Sequence, residues 1–97
     1  MKHLFAVIRT FGAAWNDAAG LEEQEDWRPH ADFMNGLEAE GLVVAGGPLE
    51  GTRDVLLIFR ASEPGEIVSR LETDPWTAKD LLRITRIAPW TLRLGSL

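Results

Sequence analysis

The sequence contains no cysteine, and this absence removes three kinds of site at once. Disulfide bonds, thiolate metal sites and cysteine nucleophiles all need a thiol group. The chain also has only two histidines and no tyrosine, so few side chains could bind a transition metal or exchange a proton near neutral pH. We therefore expect no metal ion, no other cofactor and a reducing, cytoplasmic location.

Long apolar runs and an excess of basic residues are also missing. No apolar run approaches the ~18 residues that a membrane-spanning helix needs. The N-terminal residues 1–3 lead directly into a strand-like segment, without the apolar stretch of a signal peptide. The net charge is −5, from 10 basic and 15 acidic residues, whereas a nucleic-acid-binding surface needs a basic stripe. We expect neither a membrane nor a nucleic acid as partner.

The remaining composition is that of one globular domain covering residues 1–97, with 45% hydrophobic and 26% charged residues. Short β-branched and aromatic runs predict strands, and apolar residues three and four positions apart predict helices. The strands are expected over 3–10, 42–49, 54–61 and 81–90, and the helices over 26–41 and 63–72. The resulting order, β-α-β-β-α-β, predicts an α+β fold of the ferredoxin-like type: a four-stranded antiparallel sheet with both helices on one face.

The ends of the helices carry their own signals. Asp26 is the expected N-cap of the first helix, and Gly41 suits the position just after its end. Ser62 is the expected N-cap of the second helix. Asp74 precedes Pro75, which is the arrangement of a cap followed by a proline in the first helical position.

The strands are apolar on both faces, which indicates that both faces of the sheet are covered. In the first strand one face carries Leu4, Ala6 and Ile8, and the other carries Phe5 and Val7. In the last strand we expect Ile84 and Ala88 on the face opposite to Thr85 and Ile87. Two helices can cover one face only, so we expect a homodimer in which two sheets face each other. The alternative is that loop 11–21 folds over the open face.

His30 is the first candidate for chemistry, because imidazole titrates near neutral pH and is the commonest general acid or base. It lies at the start of a helix, on the apolar stripe that contains Phe33 and Met34. The dipole at a helix start disfavours the protonated ring, which suits a base. The alternative is a hydrogen-bonded histidine with a structural role only.

Asp74 is the second candidate, as a carboxylate that orients a histidine or as a helix cap, and one carboxylate can serve both purposes. Gly46 and Gly47 end a strand before Pro48, where they could offer backbone N–H groups to a ligand or form a bulge. Trp27 and Trp76 lie close in sequence to the two candidates, and could form walls of a pocket or part of the core.

The order and spacing of these residues resemble the YciI-like (YCII-related) domain family. The resemblance rests on the run from His30 to Pro48, on Asp74-Pro75-Trp76 and on Pro89-Trp90, with Gln24 and Trp27 preceding the histidine. It implies a dimeric α+β barrel, in which His30 and Asp74 are the active-site pair. Known activity in this family is of the lyase type, and similar barrels include isomerases and cofactor-free oxygenases. Trp76 is larger than the phenylalanine often found at its position, which could narrow a pocket.

Two hypotheses of function follow. In the first, the protein is an enzyme acting on an unknown small molecule, with His30 as general base or acid and Asp74 as its hydrogen-bond partner. The reaction would be an elimination or an isomerisation, and the substrate would contact Trp27, Phe33, Met34, Gly46, Gly47 and Trp76. In the second, the protein is a ligand-binding or regulatory dimer in which the pair of His30 and Asp74 is structural.

Overall fold

The computed structural model describes residues 1–97, and its strands form a single antiparallel sheet. A 3-10 turn at Leu21–Glu23 precedes the first helix. The elements are β1 (His3–Phe11), α1 (Trp27–Ala39), β2 (Val43–Pro48), β3 (Asp54–Ala61), α2 (Pro64–Leu71), α3 (Pro75–Ala78) and β4 (Leu82–Pro89). The predicted element order is confirmed, and the boundaries differ from the predicted ones by at most two residues.

The sheet has the strand order β2-β3-β1-β4, and every neighbouring pair is antiparallel. β1 and β3 lie in the centre and pair along their length. Leu37 of α1 and Ile67 and Leu71 of α2 belong to the same apolar cluster as Phe5 of β1 and Phe59 of β3. Both helices therefore cover one face of the sheet, and the ferredoxin-like arrangement is confirmed.

Two of the predicted helix starts need correction. Asp26 does occupy the cap position of α1, but its backbone is left-handed (φ 57°) and its side chain makes no capping hydrogen bond. Its carboxylate instead pairs with Lys79 at 2.5 Å. The N-cap of α2 is Glu63 and not Ser62, because Pro64 occupies the first helical position.

The end of α1 is as predicted. Gly41 has a φ of +82°, a backbone conformation that residues with a side chain rarely adopt. Its N–H donates to the carbonyl of Glu38, and the N–H of Leu42 donates to the carbonyl of Leu37. These two bonds form a Schellman motif, which satisfies carbonyl groups that the helix leaves free.

The predicted facing of β4 is wrong for Ile87 and Ala88, because Ile87 shares the face of Ile84 and Ala88 lies on the other face. The register of β1 against β4 shifts between Ile8 and Arg9, so that Ile8 opposes Arg86 and Arg9 opposes Ile84. Thr85 is the extra residue of this bulge, and a bulge interrupts the alternation of side chains. Ile84 and Ile87 consequently both pack on the helix-covered face.

Loop 11–21 does not cover the other face of the sheet. Trp15 stacks on Phe11 (3.8 Å between ring centroids) and meets Trp76 edge-on (5.6 Å). With Leu21, these rings pack around Leu82 on the helix-covered side. The expected alternative, cover of the open face by this loop, is therefore wrong, and the open face keeps a half-buried apolar row made of Leu4, Ala6, Ile8, Leu56 and Ala88 around the buried Ile58. None of the helices is long and apolar enough to cross a bilayer.

Candidate functional site

The structure brings His30 and Asp74 into direct contact, although they are 44 positions apart. His30 Nδ1 lies 3.0 Å from Oδ1 and 2.9 Å from Oδ2 of Asp74. Both side chains are buried, with Asp74 fully so. The two sequence candidates therefore form one polar pair between the first turn of α1 and the start of α3.

Asp74 and Trp76 together hold the histidine ring. Asp74 Oδ1 accepts a hydrogen bond from the backbone N–H of Trp76 at 3.0 Å, so the carboxylate caps α3 and contacts His30 at the same time. The indole of Trp76 stacks on the imidazole, with ring centroids 3.8 Å apart and planes 5° from parallel. Trp76 Nε1 donates to the backbone carbonyl of Glu25 at 2.6 Å, which anchors the indole beside α1. The imidazole plane is thereby fixed.

Arg9 is a third member of this group that the sequence analysis missed. Its Nη1 donates to Asp74 Oδ2 at 2.8 Å and its Nη2 to Thr77 Oγ1 at 2.9 Å. Only 1% of the side chain is exposed. A signal was available, because Arg9 continues the alternating row of Phe5 and Val7 that faces the core, and a charge in such a row needs a buried partner.

The carboxylate of Asp74 remains ionised in this setting. Burial by itself raises the pKa of Asp74, but hydrogen bonds from His30, Arg9 and the N–H of Trp76 lower it by more. Burial lowers the pKa of Arg9, while the hydrogen bond and the charge of Asp74 oppose that change. A guanidinium stays protonated in proteins, so Arg9 and Asp74 form a buried ion pair.

The two nitrogens of His30 have different surroundings. Nδ1 faces the ionised carboxylate, and hydrogen-bond geometry therefore assigns the proton of the neutral ring to Nδ1. Nε2 makes no hydrogen bond to the protein. It is not sealed from solvent either, because the only buried side-chain nitrogen or oxygen without a partner is Arg9 Nε. In the neutral ring Nε2 is thus an accessible proton acceptor.

A cavity of about 220 Å³ lies beside the pair. Asp74 is behind its wall, and Arg9 and His30 are the only ionisable residues that line it. Seven of its twelve lining residues are hydrophobic. The lining consists of Arg9, Leu21, Trp27, His30, Met34, Gly46, Gly47, Pro48, Val55, Leu57, Trp76 and Leu82.

The predicted contact residues are only partly assembled here. Trp27, Met34, Gly46, Gly47 and Trp76 all line the cavity, and their contact with a substrate stays a prediction. Phe33, which was also predicted, does not line the cavity; it packs against the main apolar core.

Gly46 and Gly47 have different reasons to lack a side chain. A Cβ on Gly46 would lie 2.5 Å from Leu57 Cδ2 and 3.1 Å from the carbonyl oxygen of Leu56, whereas one on Gly47 would meet nothing within 4 Å. The irregularity in β2 lies between Val43 and Ala45, before the glycines. Gly46 is therefore a place of close packing and not a bulge, and its role as a backbone donor stays a prediction.

Gln24 holds the loop that leads to the cavity wall. Its Nε2 donates to the carbonyls of Asn16, Ala19 and Gly20, and its Oε1 accepts from the N–H of Asn16 at 3.0 Å. Gln24 is buried, and its neighbour Leu21 lines the cavity. The buried amide thus holds the loop that directly precedes Leu21 of the cavity lining.

No family model matches this chain, and no curated protein matches it either. The likeness to the YciI-like family is consequently a prediction from the residue pattern. No group of three or more histidine, aspartate or glutamate side chains lies together as a metal site would require.

Proposed function

We propose that this protein is a small-molecule enzyme of the YciI-like type, in which His30 removes a proton from a carbon atom of the substrate. One observation carries the proposal: an ionised, buried Asp74 holds His30 Nδ1, while Nε2 is free beside an apolar cavity. A base held by a carboxylate in this way has a defined tautomer and orientation.

The proposed reaction begins with transfer of a substrate proton to Nε2. An N–H bond forms as the C–H bond breaks, and the electron pair moves into a neighbouring carbonyl group. In an isomerisation the proton returns to another carbon atom. In an elimination the electron pair forms a double bond and expels a leaving group from the adjacent carbon atom, and the proton passes from Nε2 to that leaving group or to water. Asp74 stabilises the imidazolium that exists between the two steps.

The cavity limits the size and character of the substrate. A cavity of roughly 150 Å³ is enough for a benzene molecule, and this one measures about 220 Å³. Pockets that bind drug-sized ligands have volumes of about 300 Å³ or more. The walls are mainly apolar, so a small ring compound with few polar substituents fits best.

Exchange of hydrogen for deuterium tests the proton transfer without knowledge of the product. Five- and six-membered lactones and cyclic ketones are first screened for binding by thermal shift. The bound compounds are then incubated with the protein in D₂O, and NMR follows the loss of the C–H signal beside the carbonyl group. We expect exchange with the parent protein and with His3→Gln, whose histidine lies on β1 outside the cavity, but none with His30→Gln.

A binding protein without catalysis is the second candidate, and specific contacts favour it. The pair of His30 and Asp74 also ties α1 to α3, as do the hydrogen bonds of Lys79 to Asp26 and Glu25. Those two bonds raise the pKa of Lys79 to about 12. Compounds that bind in the cavity yet show neither exchange nor conversion would support this candidate and contradict catalysis.

We further propose that two copies associate through the open faces of their sheets. The apolar row around Ile58 has no cover from loop 11–21, whose aromatic residues pack on the other side. Four strands about 26 Å long and about 4.8 Å apart span on the order of 500 Å². Two such faces remove on the order of 1,000 Å² or more from solvent, which reaches the range of specific interfaces.

Light scattering after size exclusion tests this association. The parent is expected to have twice the mass of one chain, and Ile8→Asp, which places a charge in the apolar row, is expected to be monomeric. Val68→Asp is the control, because Val68 is 37% exposed on α2, on the other side of the sheet. A monomeric parent, or a dimeric Ile8→Asp variant, would contradict the proposal.

A further inference from the structure

One polar atom of the site remains unexplained by the chemistry of the pair. Arg9 Nε is the only buried side-chain nitrogen or oxygen in the protein without a hydrogen-bond partner. A buried donor left without a partner destabilises a fold, and native proteins keep few such groups. Nη1 and Nη2 of the same guanidinium are both engaged, with Asp74 and Thr77, so the side chain is held in place.

The position of Arg9 restricts what could reach this group. The side chain is 1% exposed, its Nε atom is buried, and the residue is part of the cavity lining. A cation on the outer surface attracts any anion in solution. A cation in this position meets only a molecule that has entered the cavity beside His30.

The charges of the cavity wall indicate the complementary ligand. No aspartate or glutamate lines the cavity, although the whole chain carries a net charge of −5. Asp74 neutralises Arg9 in part, but its oxygens face Nη1, His30 and the N–H of Trp76 and not Nε. Arg9 Nε is therefore an N–H donor without a partner, in a residue of a cavity wall that carries no negative charge.

We propose that Arg9 binds a carboxylate group of the substrate, so that the substrate class is a small cyclic carboxylic acid. This proposal rests on the function proposed above and names the ligand of the same site. The carboxylate would accept the N–H of Arg9 Nε, while the apolar walls hold the ring and His30 Nε2 faces its acidic C–H group. A negative charge on the substrate would also stabilise the imidazolium that proton transfer creates.

Two probes of the same shape test the ligand class. Benzoate carries the carboxylate, and benzamide replaces it with a neutral amide. A charge-assisted hydrogen bond in a buried site corresponds to about 10- to 100-fold in affinity. We expect calorimetry to show benzoate binding at least about tenfold more tightly than benzamide. Equal affinities, or no binding of benzoate, would overturn the proposal.

The side-chain N–H signal of Arg9 in ¹H–¹⁵N NMR tests the contact itself. Benzoate should move this signal in a saturable way, and benzamide should move it less. Arg9→Lys keeps a positive charge but lacks the Nε–H, and it should lose the preference for benzoate. Arg53→Lys is the matched control, because Arg53 is exposed and pairs with Asp17 outside the cavity. If Arg9→Lys does not fold, the NMR titration of the parent still decides.

The His30→Gln variant separates this proposal from the proposed function. Benzoate should still bind to it and still move the Arg9 signal, because the carboxylate contact does not need the imidazole. If benzoate binds but no bound compound shows deuterium exchange, the proposed carboxylate site is supported and the proposed enzymatic function is contradicted. If neutral ketones show deuterium exchange but benzoate does not move the Arg9 N–H signal, the proposed enzymatic function is supported and the proposed carboxylate site is overturned.

Discussion

The two ends of the helix-covered side of the sheet are built in opposite ways. One end holds a cluster of ten buried apolar residues, among them Phe59, Ile67 and Leu71, without a buried charge. The other end holds a smaller cluster around Trp76, and next to it lie all four buried polar residues of the protein: Arg9, Gln24, His30 and Asp74. The same fold thus separates a region that stabilises it from a region that can do chemistry.

The difference has a thermodynamic reason. Burial of apolar surface stabilises a fold in proportion to its area, and a chain of 97 residues has little surplus. A buried ion pair is weak evidence for stability, because desolvation of both charges offsets their attraction. The polar end therefore contributes little to the free energy of unfolding, and most of the stability of the fold comes from the apolar end.

Removal of Asp74 is expected to have the largest effect. Asp74→Ala leaves Arg9 as an uncompensated buried charge and removes the cap of α3. We expect a loss of about 3–5 kcal/mol in the free energy of unfolding by urea, out of about 5–15 kcal/mol for a typical domain. Glu40→Ala, which breaks the exposed pair with Arg70, is the control and should have no measurable effect. Equal stability of Asp74→Ala and the parent would remove the contrast between the two ends.

Shortening a side chain in the apolar end should reduce stability by a similar amount without changing ligand binding at the candidate site. Leu71 is 1% exposed in the main cluster, and Leu71→Ala is expected to destabilise by about 2–5 kcal/mol through a cavity. The affinity of the folded variant for benzoate should equal that of the parent in calorimetry below its melting temperature. An altered affinity would mean that the two ends are coupled.

The two glycines of β2 provide a smaller, paired test at the edge of the cavity. Gly46→Ala places a methyl group against Leu57, and overpacking of this kind costs about 1–3 kcal/mol. In a domain of this size each kcal/mol corresponds to about 4–8 °C in Tm. Gly47→Ala adds a methyl group in open space and should melt like the parent. The interpretation of Gly46 as close packing fails if both variants melt alike.

The pH dependence of stability should reveal the ionised carboxylate of the polar end. The pKa of Asp74 is lower in the fold than its ordinary value of 3.8. The stability that its ionisation contributes is thus complete above about pH 4 and is lost as the pH falls through the lowered pKa. Asp74→Asn lacks this contribution, and its stability should fall less steeply between about pH 4 and pH 2 than that of the parent. Parallel curves for the two proteins would contradict an ionised Asp74.

Much of the fold was predictable, because local signals and the global arrangement agree. The Schellman end at Gly41, the cap and proline at Asp74 and Pro75, and the apolar runs of β1 and β3 each depend on near neighbours. The predictions that failed depend on more distant partners. The N-cap of α2 is Glu63 and not the predicted Ser62. The bulge at Thr85, which is set by the pairing of β4 with β1, places Ile87 on the helix-covered face.

The candidate site was predictable in its residues but not in its geometry. His30 and Asp74 stand out by type and by position, and a resemblance suggested that they meet. Arg9 was missed because a charged residue in a strand reads as exposed unless its row is compared with Phe5 and Val7. Phe33 and Met34 lie on the same apolar stripe of α1, but this stripe is wider than the cavity. Met34 lines the cavity, whereas Phe33 contacts the core and does not line the cavity.

By itself, the sequence determined the order of the elements, the ends of α1 and α3 and the scarcity of groups that titrate near neutral pH. Hydrophobic periodicity and local capping decide these properties over a few residues. Only the tertiary structure decided that Arg9 and His30 share one carboxylate, that Trp76 stacks on the imidazole and that one guanidinium N–H has no partner. These contacts join residues more than 40 positions apart. Their strength depends on burial in a low-dielectric interior, which a local sequence pattern does not reveal.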